Sequence, residues 1–152
     1  MTEHVSREHP TVNLLFAIEG EATQQERDAM RDAIGHLATT RHWTITPPAF
    51  VDEEEEATAP GDTPIVTVGG VLEVYSSFPP WDEDLPLDID RAHYNEVRAV
   101  LDAMCDLSRT HGLCIGVEYN GERIGSVEAG SVSRSLATGL LQAWERSLLE
   151  RA

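Results

Sequence analysis

The sequence predicts a single-domain α+β fold, a two-layer sandwich in which helices pack on a mostly antiparallel sheet. Apolar residues alternate in several short segments and recur at helical spacing in three longer ones. The predicted elements follow the order β-α-β-β-α-β-β-α, and the first six match a split-βαβ arrangement. With 152 residues, of which 41% are hydrophobic, the chain can fill one core. We therefore place one domain at residues 11–152, after a polar tail at residues 1–10.

The first strand and helix are indicated by their patterns. Residues Thr11 to Glu19 alternate, and apolar residues on both faces are typical of a central strand. Thr23-Gln-Gln-Glu26 matches a capping box and predicts a helix that ends near Thr40. Its inward stripe consists of Met30, Ala33, Ile34, Leu37 and Ala38.

The next segments are strands and an acidic loop. A short strand is expected at Trp43–Thr46, interrupted by Pro47-Pro48 and resumed through Val51. Residues 52–63 combine an acidic run with Ala, Thr, Pro and Gly, which predicts a solvated loop. Residues Ile65 to Ser76 are strand-like, and Gly69-Gly70 within them fits either a hairpin turn or a bulge.

A second helix and its connection follow. Residues 77–89 form a Pro-rich acidic connection, after which Asp90 can cap a helix from Arg91 to Thr110 that stops at Gly112. A last helix, capped by Ser131 or Ser133, carries apolar residues at helical spacing up to Leu148.

A hairpin is predicted between Leu113 and Glu128. Asn120-Gly121 between alternating segments is a strong two-residue turn signal, because both residues accept positive φ. Such a turn pairs Glu118 with Arg123, Val117 with Ile124 and Gly116 with Gly125. We therefore expect a bare two-glycine patch on one face of the hairpin.

Negative charge is concentrated in the middle of the chain. Residues 43–90 hold 12 of the 27 acidic residues and no Lys, Arg or His, so they carry −12 of the formal −16. This segregation predicts an acidic face. It argues against binding to nucleic acid or to anionic membrane surfaces, and it favours a basic protein as partner.

Residue usage excludes several chemistries. All 11 cations are Arg, so lysine-based catalysis is excluded; whether the lack of Lys is functional or reflects codon bias is open. Cys105 and Cys114 form no disulfide framework and are expected to be small buried thiols in a reducing cytoplasm. Residues 1–10 lack the apolar core of a secretory signal, and no apolar run reaches membrane-spanning length. No cofactor is expected.

The proline-rich segment is the first candidate for a partner-binding site. Prolines limit its flexibility, and an aromatic anchor beside acidic residues is typical of an interface hot spot. The predicted contact residues are Phe78, Trp81, Asp82, Glu83, Asp84, Asp88 and Asp90, with Glu53, Glu54, Glu55 and Glu56 as a steering rim. The alternative interpretation is a connector that tucks its aromatic residues onto the core, with a solvated acidic run before it.

Metal and catalytic patterns are weak. Asp82, Asp84, Asp88 and Asp90 are dense enough in oxygen ligands for Mg²⁺ or Ca²⁺, but the calcium-loop pattern requires Gly at Leu87 and meets Pro86 at a ligand position. No nucleophile is paired with a base, and no phosphate-binding glycine pattern occurs.

These features favour a non-enzymatic, cytoplasmic protein-binding module. The leading hypothesis is an immunity-type inhibitor, or antitoxin, that occupies a basic surface or active site of a toxin or nuclease. One alternative is an acidic, homodimeric secretion or export chaperone. Another is a Mg²⁺-dependent enzyme that uses the Asp82–Asp90 cluster.

Overall fold

The computed structural model describes residues 11–55, 61, 65–75 and 86–151. They form one six-stranded sheet with helices packed on it, which confirms the predicted α+β sandwich. The strands are β1 (Thr11–Ile18), β2 (Ala49–Glu55), β3 (Ile65–Tyr75), β4 (Ile115–Tyr119), β5 (Glu122–Glu128) and β6 (Ser131–Val132). The helices are α1 (Gln24–Thr40), α2 (Leu87–His111), α3 (Arg134–Leu136) and α4 (Ala143–Arg151), with the π-helical turn Ala137–Gln142 joining the last two.

The sheet has the order β2-β3-β1-β4-β5-β6, and every neighbouring pair is antiparallel. Strand β3 lies between β1 and β2, so the β1-α1-β2 unit is split by an inserted strand. The predicted split-βαβ arrangement is confirmed, and β5 and β6 extend it beyond β4.

One face of the sheet forms the core. Val12, Leu14, Phe16 and Ile18 alternate along β1 and are at most 8% exposed. They pack in one cluster with Met30 of α1 and Val97 of α2, so the helices cover this face. The residues between them in β1 point to the opposite face, where Asn13 is exposed and Leu15 and Ala17 are partly exposed.

The predicted capping box of α1 is confirmed. Glu26 N donates to Thr23 Oγ1 over 3.1 Å, and Thr23 N donates to Glu26 Oε1 over 2.8 Å. Two free N–H groups at the start of the helix are thereby satisfied. The helix ends at Thr40, where the sequence pattern stops.

Strand β2 differs from its prediction. Trp43–Thr46 is not a strand, and β2 runs from Ala49 to Glu55. The predicted solvated loop at 52–63 is therefore wrong for its first four residues, which pair with β3. Backbone hydrogen bonding to β3 and an Arg27–Asp52 contact of 3.3 Å hold these acidic residues in extended form. The sequence gives no apolar alternation there, so this strand is formed by its neighbours.

Gly69-Gly70 is neither a hairpin turn nor a bulge. Both residues lie within β3, and their pairing with β1 continues without interruption. A Cβ atom on Gly70 would lie 2.6 Å from the Phe16 ring, and one on Gly69 would overlap the Phe16 carbonyl oxygen. Glycine is needed at both positions because the aromatic ring and the neighbouring strand fill that space.

Helix α2 begins earlier than predicted. Its first residue is Leu87 and its N-cap is Pro86, so the prediction that Asp90 caps the helix is wrong. The end agrees with the sequence, since Gly112 adopts the left-handed conformation with φ 66°. At the C-terminal helix the N-cap is Ser133, whereas Ser131 belongs to β6. The predicted tail at 1–10 lies outside the described residues, as does most of the 77–89 connection.

The Asn120-Gly121 hairpin is confirmed, with φ of 54° and 81° at the two turn residues. Glu118 pairs with Arg123 as predicted, but a bulge then shifts the register. Val117 pairs with Gly125, so the predicted pairing of Gly116 with Gly125 is wrong and no two-glycine patch forms. The bulge places Gly125 against the helices, where a Cβ atom would lie 2.6 Å from Leu136.

Candidate partner-binding surface

Several residues of the predicted interface lie outside the described residues: Phe78, Trp81, Asp82, Glu83, Asp84 and Glu56. Of the remaining rim residues, Glu53 and Glu54 are exposed on the edge strand β2, and Glu55 is its last residue. The steering rim thus belongs in part to the sheet.

Asp88 and Asp90 have different environments at the start of α2. Asp88 is exposed, whereas Asp90 is 9% exposed and its Oδ1 accepts a 2.7 Å hydrogen bond from Trp144 Nε1. The Trp144 ring in turn packs edge-on against Tyr94, with 5.8 Å between centroids. The carboxylate of Asp90 therefore fastens α4 to α2 and is not an exposed contact residue.

The two described parts of the predicted acidic face are far apart. Glu53 pairs with Thr67 near the beginning of β3, while Tyr75 at its end contacts His93 of α2. Tyr75 lies eight steps along the strand from Thr67, which corresponds to about 26 Å at roughly 3.3 Å per residue. The structure does not bring Glu53 together with Asp88.

Charge is instead divided between the two layers. In the described strands, acidic residues far outnumber cations: Asp52, Glu53, Glu54, Glu55, Glu73, Glu118, Glu122 and Glu128 stand against Arg123 alone. The helices are nearly balanced, because most of the arginines lie there: Arg27, Arg31, Arg91, Arg98, Arg109, Arg134, Arg146 and Arg151. The sheet is therefore the negative layer of the molecule.

The sheet face opposite the helices has an apolar centre. Leu15 pairs with Val71 on one side and Glu118 on the other, while Ala17 pairs with Gly69 and Gly116. These residues are partly exposed apart from Gly69, which is buried. Carboxylates surround this centre at Glu19, Glu53, Glu73, Glu118 and Glu128. We call this surface, from Val51 across to Arg123, the open face.

A hollow of about 150 Å³ lies on the open face around Gly116. Leu15, Ala17 and Glu118 are among its lining residues, and Glu19 and Arg123 form an ion pair at its margin. A Cβ atom on Gly116 would lie 2.6 Å from Glu19 Oε1, so the missing side chain makes room for that carboxylate. The hollow combines apolar walls with negative charge.

Cys114 lies beside the hollow between two carboxylates. Its Sγ is 3.1 Å from Glu19 Oε2 and 3.0 Å from Glu128 Oε1. Burial and these two negative acceptors raise the pKa of the Cys114 thiol to about 12, whereas the thiol hydrogen bond and Arg123 lower the pKa of Glu19 despite partial burial. A raised pKa disfavours the thiolate, which is the nucleophilic form of cysteine, so this environment does not activate Cys114.

A second titratable group is buried between α2 and the segment before β2. His93 Nδ1 lies 3.3 Å from Glu96 Oε1, and the other Glu96 oxygen accepts from Thr44 N and Oγ1 over 2.9 and 2.6 Å. His93 and Glu96 are 1% and 2% exposed. Burial raises the pKa of Glu96, but the hydrogen bonds from His93 and Thr44 outweigh it and the net shift is downward. Because solvent does not reach this pair, its role is to fix Trp43–Thr46 to α2.

Metal binding and membrane insertion receive no support from the part of the chain that is described. It contains no group of three or more His, Cys, Asp or Glu arranged to hold a metal ion. None of its helices combines the length and apolarity required to cross a bilayer.

Sequence reasoning missed the carboxylates of Glu19, Glu73 and Glu118. They are scattered along the chain and meet only through cross-strand register. The available signal was strand alternation, which already put Leu15 and Ala17 on the face opposite the core. Comparisons with protein-family models, with curated proteins and with solved structures find no match.

Proposed function

We propose that this protein is a non-enzymatic binding module whose negative sheet layer occupies a basic surface of another protein. The observation that carries the proposal is the division of charge between layers, with eight carboxylates and one arginine in the described strands. A one-sided distribution orients an approaching cationic partner, which an even distribution cannot do.

The biological form that fits this chemistry best is an immunity-type inhibitor of a toxin or nuclease in the cytoplasm. Enzymes that act on nucleic acids present cationic surfaces to phosphate groups. An inhibitor can cover such a surface by presenting carboxylates at phosphate positions and by excluding water with apolar contacts. The predicted contacts at Phe78, Trp81, Asp82, Glu83 and Asp84 remain part of this proposal.

The experiment measures both binding and inhibition. Purified protein is titrated into a panel of basic nucleases and size-matched acidic enzymes at 50 and 500 mM salt. We expect a one-to-one complex with at least one basic member, loss of its activity, and weaker binding at the higher salt. Failure to bind or inhibit any basic member at low salt would contradict the proposal.

A second candidate is the secretion chaperone, favoured by a groove on the helical side. The groove has a volume of about 380 Å³ and is lined in part by Tyr94, Leu148 and Leu149, the last of which is 76% exposed. An exposed apolar groove suits an unfolded client. Light scattering separates the candidates, since a chaperone of this class is a dimer that holds an extended segment, whereas the inhibitor is a monomer that holds a folded protein.

A further inference from the structure

The side chain of Arg123 supplies a positive charge at the hollow on the open face. Arg123 pairs with Glu118 across the hairpin and forms an ion pair with Glu19. It is the single Arg of the described strands, and its side chain is 58% exposed. A guanidinium on an exposed stem can move away when another cation arrives, because such surface pairs contribute little stability.

The walls of the hollow match the two parts of a long cationic side chain. Leu15 and Ala17 present apolar surface at its base, and Glu118 and Glu19 present carboxylates at its margin. Arginine and lysine bury an aliphatic stem and keep the charged head at the polar edge. The absence of a side chain at Gly116 lets the Glu19 carboxylate lie against the strand at the edge of the hollow, where it can meet a charged head.

We propose that the open face is the docking surface for the basic partner and that the hollow at Gly116 receives an arginine or lysine side chain from it. The stem packs on Leu15 and Ala17, and the charged head pairs with Glu118 and Glu19 after Arg123 moves aside. The inference rests on the proposed function and specifies which surface performs it.

Charge complementarity indicates which kind of partner binds the open face. Five carboxylates surround the apolar centre, and Arg123 is the cation among the described residues of this face. A second copy placed face to face would set like charges against each other around that centre, which is unfavourable. A cationic protein segment meets both requirements of the surface, since it supplies positive heads for the rim and aliphatic stems for the centre.

The test uses a fluorescein-labelled peptide of twelve alternating Arg and Leu residues, titrated by anisotropy at 20 mM salt. Glu118→Gln is compared with Asp32→Asn, which removes one charge from an exposed α1 residue. We expect Glu118→Gln to weaken binding about fivefold or more and Asp32→Asn to change it by less than about twofold. Gly116→Ala places a methyl group against the Glu19 carboxylate, displaces it from the edge of the hollow and is expected to weaken binding by about tenfold.

Substitution of Arg123 is expected to change peptide affinity in the opposite direction. Arg123→Gln removes the internal competitor and is expected to strengthen peptide binding about threefold or more. Arg31→Gln on α1 makes the same change in net charge at an exposed site paired with Asp28 and is the matched control, with an expected gain below about 1.5-fold. Amide chemical shifts of the labelled protein report where the peptide binds, and we expect the largest changes at Leu15, Ala17 and Gly116.

The outcomes separate the two proposals. If the wild-type protein does not bind the peptide at 20 mM salt, the proposed function and this inference are both overturned. The inference alone would be overturned if the α1 variants changed peptide affinity as much as the open-face variants do. Chemical-shift changes centred on the helices would also overturn it. Glu118 is partly exposed and pairs with Leu15 on the face opposite the core, so Glu118→Gln tests the inference even if Gly116→Ala lowers stability.

Discussion

The two faces of the same sheet differ in composition, and β1 shows the difference in consecutive residues. Leu14 is completely buried against the helices, whereas Leu15 is partly exposed on the open face next to Val71 and Glu118. One face has an apolar core closed by helices, with Asp52 at its edge paired to Arg27, and the other combines an apolar centre with carboxylates. The covered side therefore stabilises the fold, and we propose that the opposite side of the same strands binds the partner.

The largest expected effect comes from the matched pair Leu14→Ala and Leu15→Ala. Leu14→Ala creates a cavity in a closed core and is expected to lower the free energy of unfolding by about 3–4 kcal/mol. Leu15→Ala removes a partly exposed side chain and is expected to lower it by about 1 kcal/mol. Urea unfolding followed by circular dichroism measures both. Equal losses would show that the open face is as tightly packed as the core.

The next prediction compares two glutamates. Glu96→Gln removes the charge from the buried His93–Thr44 network and is expected to cost about 2–3 kcal/mol, while Glu118→Gln on the open face is expected to cost less than about 0.5 kcal/mol. The same unfolding measurement applies. If Glu118→Gln proved as costly as Glu96→Gln, the open-face carboxylates would have a structural role.

The Glu96 network also predicts a pH dependence. The pKa of Glu96 is lowered in the folded state, so the unfolded chain binds its proton first as pH falls. Its contribution is therefore complete above the ordinary glutamate pKa of 4.5 and is lost as pH falls through the lower folded value. In urea titrations between pH 7 and pH 3, wild type should lose more stability than Glu96→Gln. Parallel curves would contradict this.

Much of the covered side could be predicted from sequence. The alternation in Thr11–Ile18, the capping box at Thr23 and the turn at Asn120-Gly121 are local signals, and each one produced the expected element. Strand β2 could not be predicted in the same way, because its acidic residues are extended only through pairing with β3. Local chemistry is visible in the sequence, whereas cross-strand support is not.

The candidate surface was predicted less completely, for the same reason. An acidic face was expected from residues 43–90; Glu53 and Glu54 are both exposed, but as successive residues of β2 they lie on opposite faces of the sheet. Asp90 could not be recognised as buried, because its partner Trp144 lies 54 residues away in the chain. The hairpin bulge, which moves Gly125 to the covered face, likewise depends on packing against Leu136.

A smaller effect is expected at the start of α2, where two aspartates form another matched pair. Asp90→Ala leaves the Trp144 indole N–H without this acceptor and is expected to cost about 1.5 kcal/mol. Asp88→Ala at an exposed first-turn position should cost less than about 0.5 kcal/mol. Thermal unfolding compares the two. Equal costs would show that the buried hydrogen bond contributes nothing beyond helix-end charge.

The smallest effect is expected at Cys114, and it is a change in the rate at which the thiol is alkylated. With a pKa of about 12, its thiol should react with iodoacetamide far more slowly at pH 8 than the same residue in the unfolded protein. Glu128→Gln removes one negative neighbour and should raise that rate several-fold. A native rate equal to the unfolded rate would show that the two carboxylates do not hold the proton on sulfur.

The most direct test of the central claim compares two triple variants with the same net charge. One is Glu53→Gln, Glu73→Gln and Glu118→Gln on the open face, and the other is Asp32→Asn, Asp102→Asn and Asp106→Asn on the exposed helix surfaces. Affinity for the Arg-Leu peptide is measured between 20 and 200 mM salt. The account predicts at least about a 30-fold loss and a shallower salt dependence for the open-face variant, and less than about a threefold loss for the helical one. Equal losses in the two variants would contradict it, because net charge alone would then explain the binding.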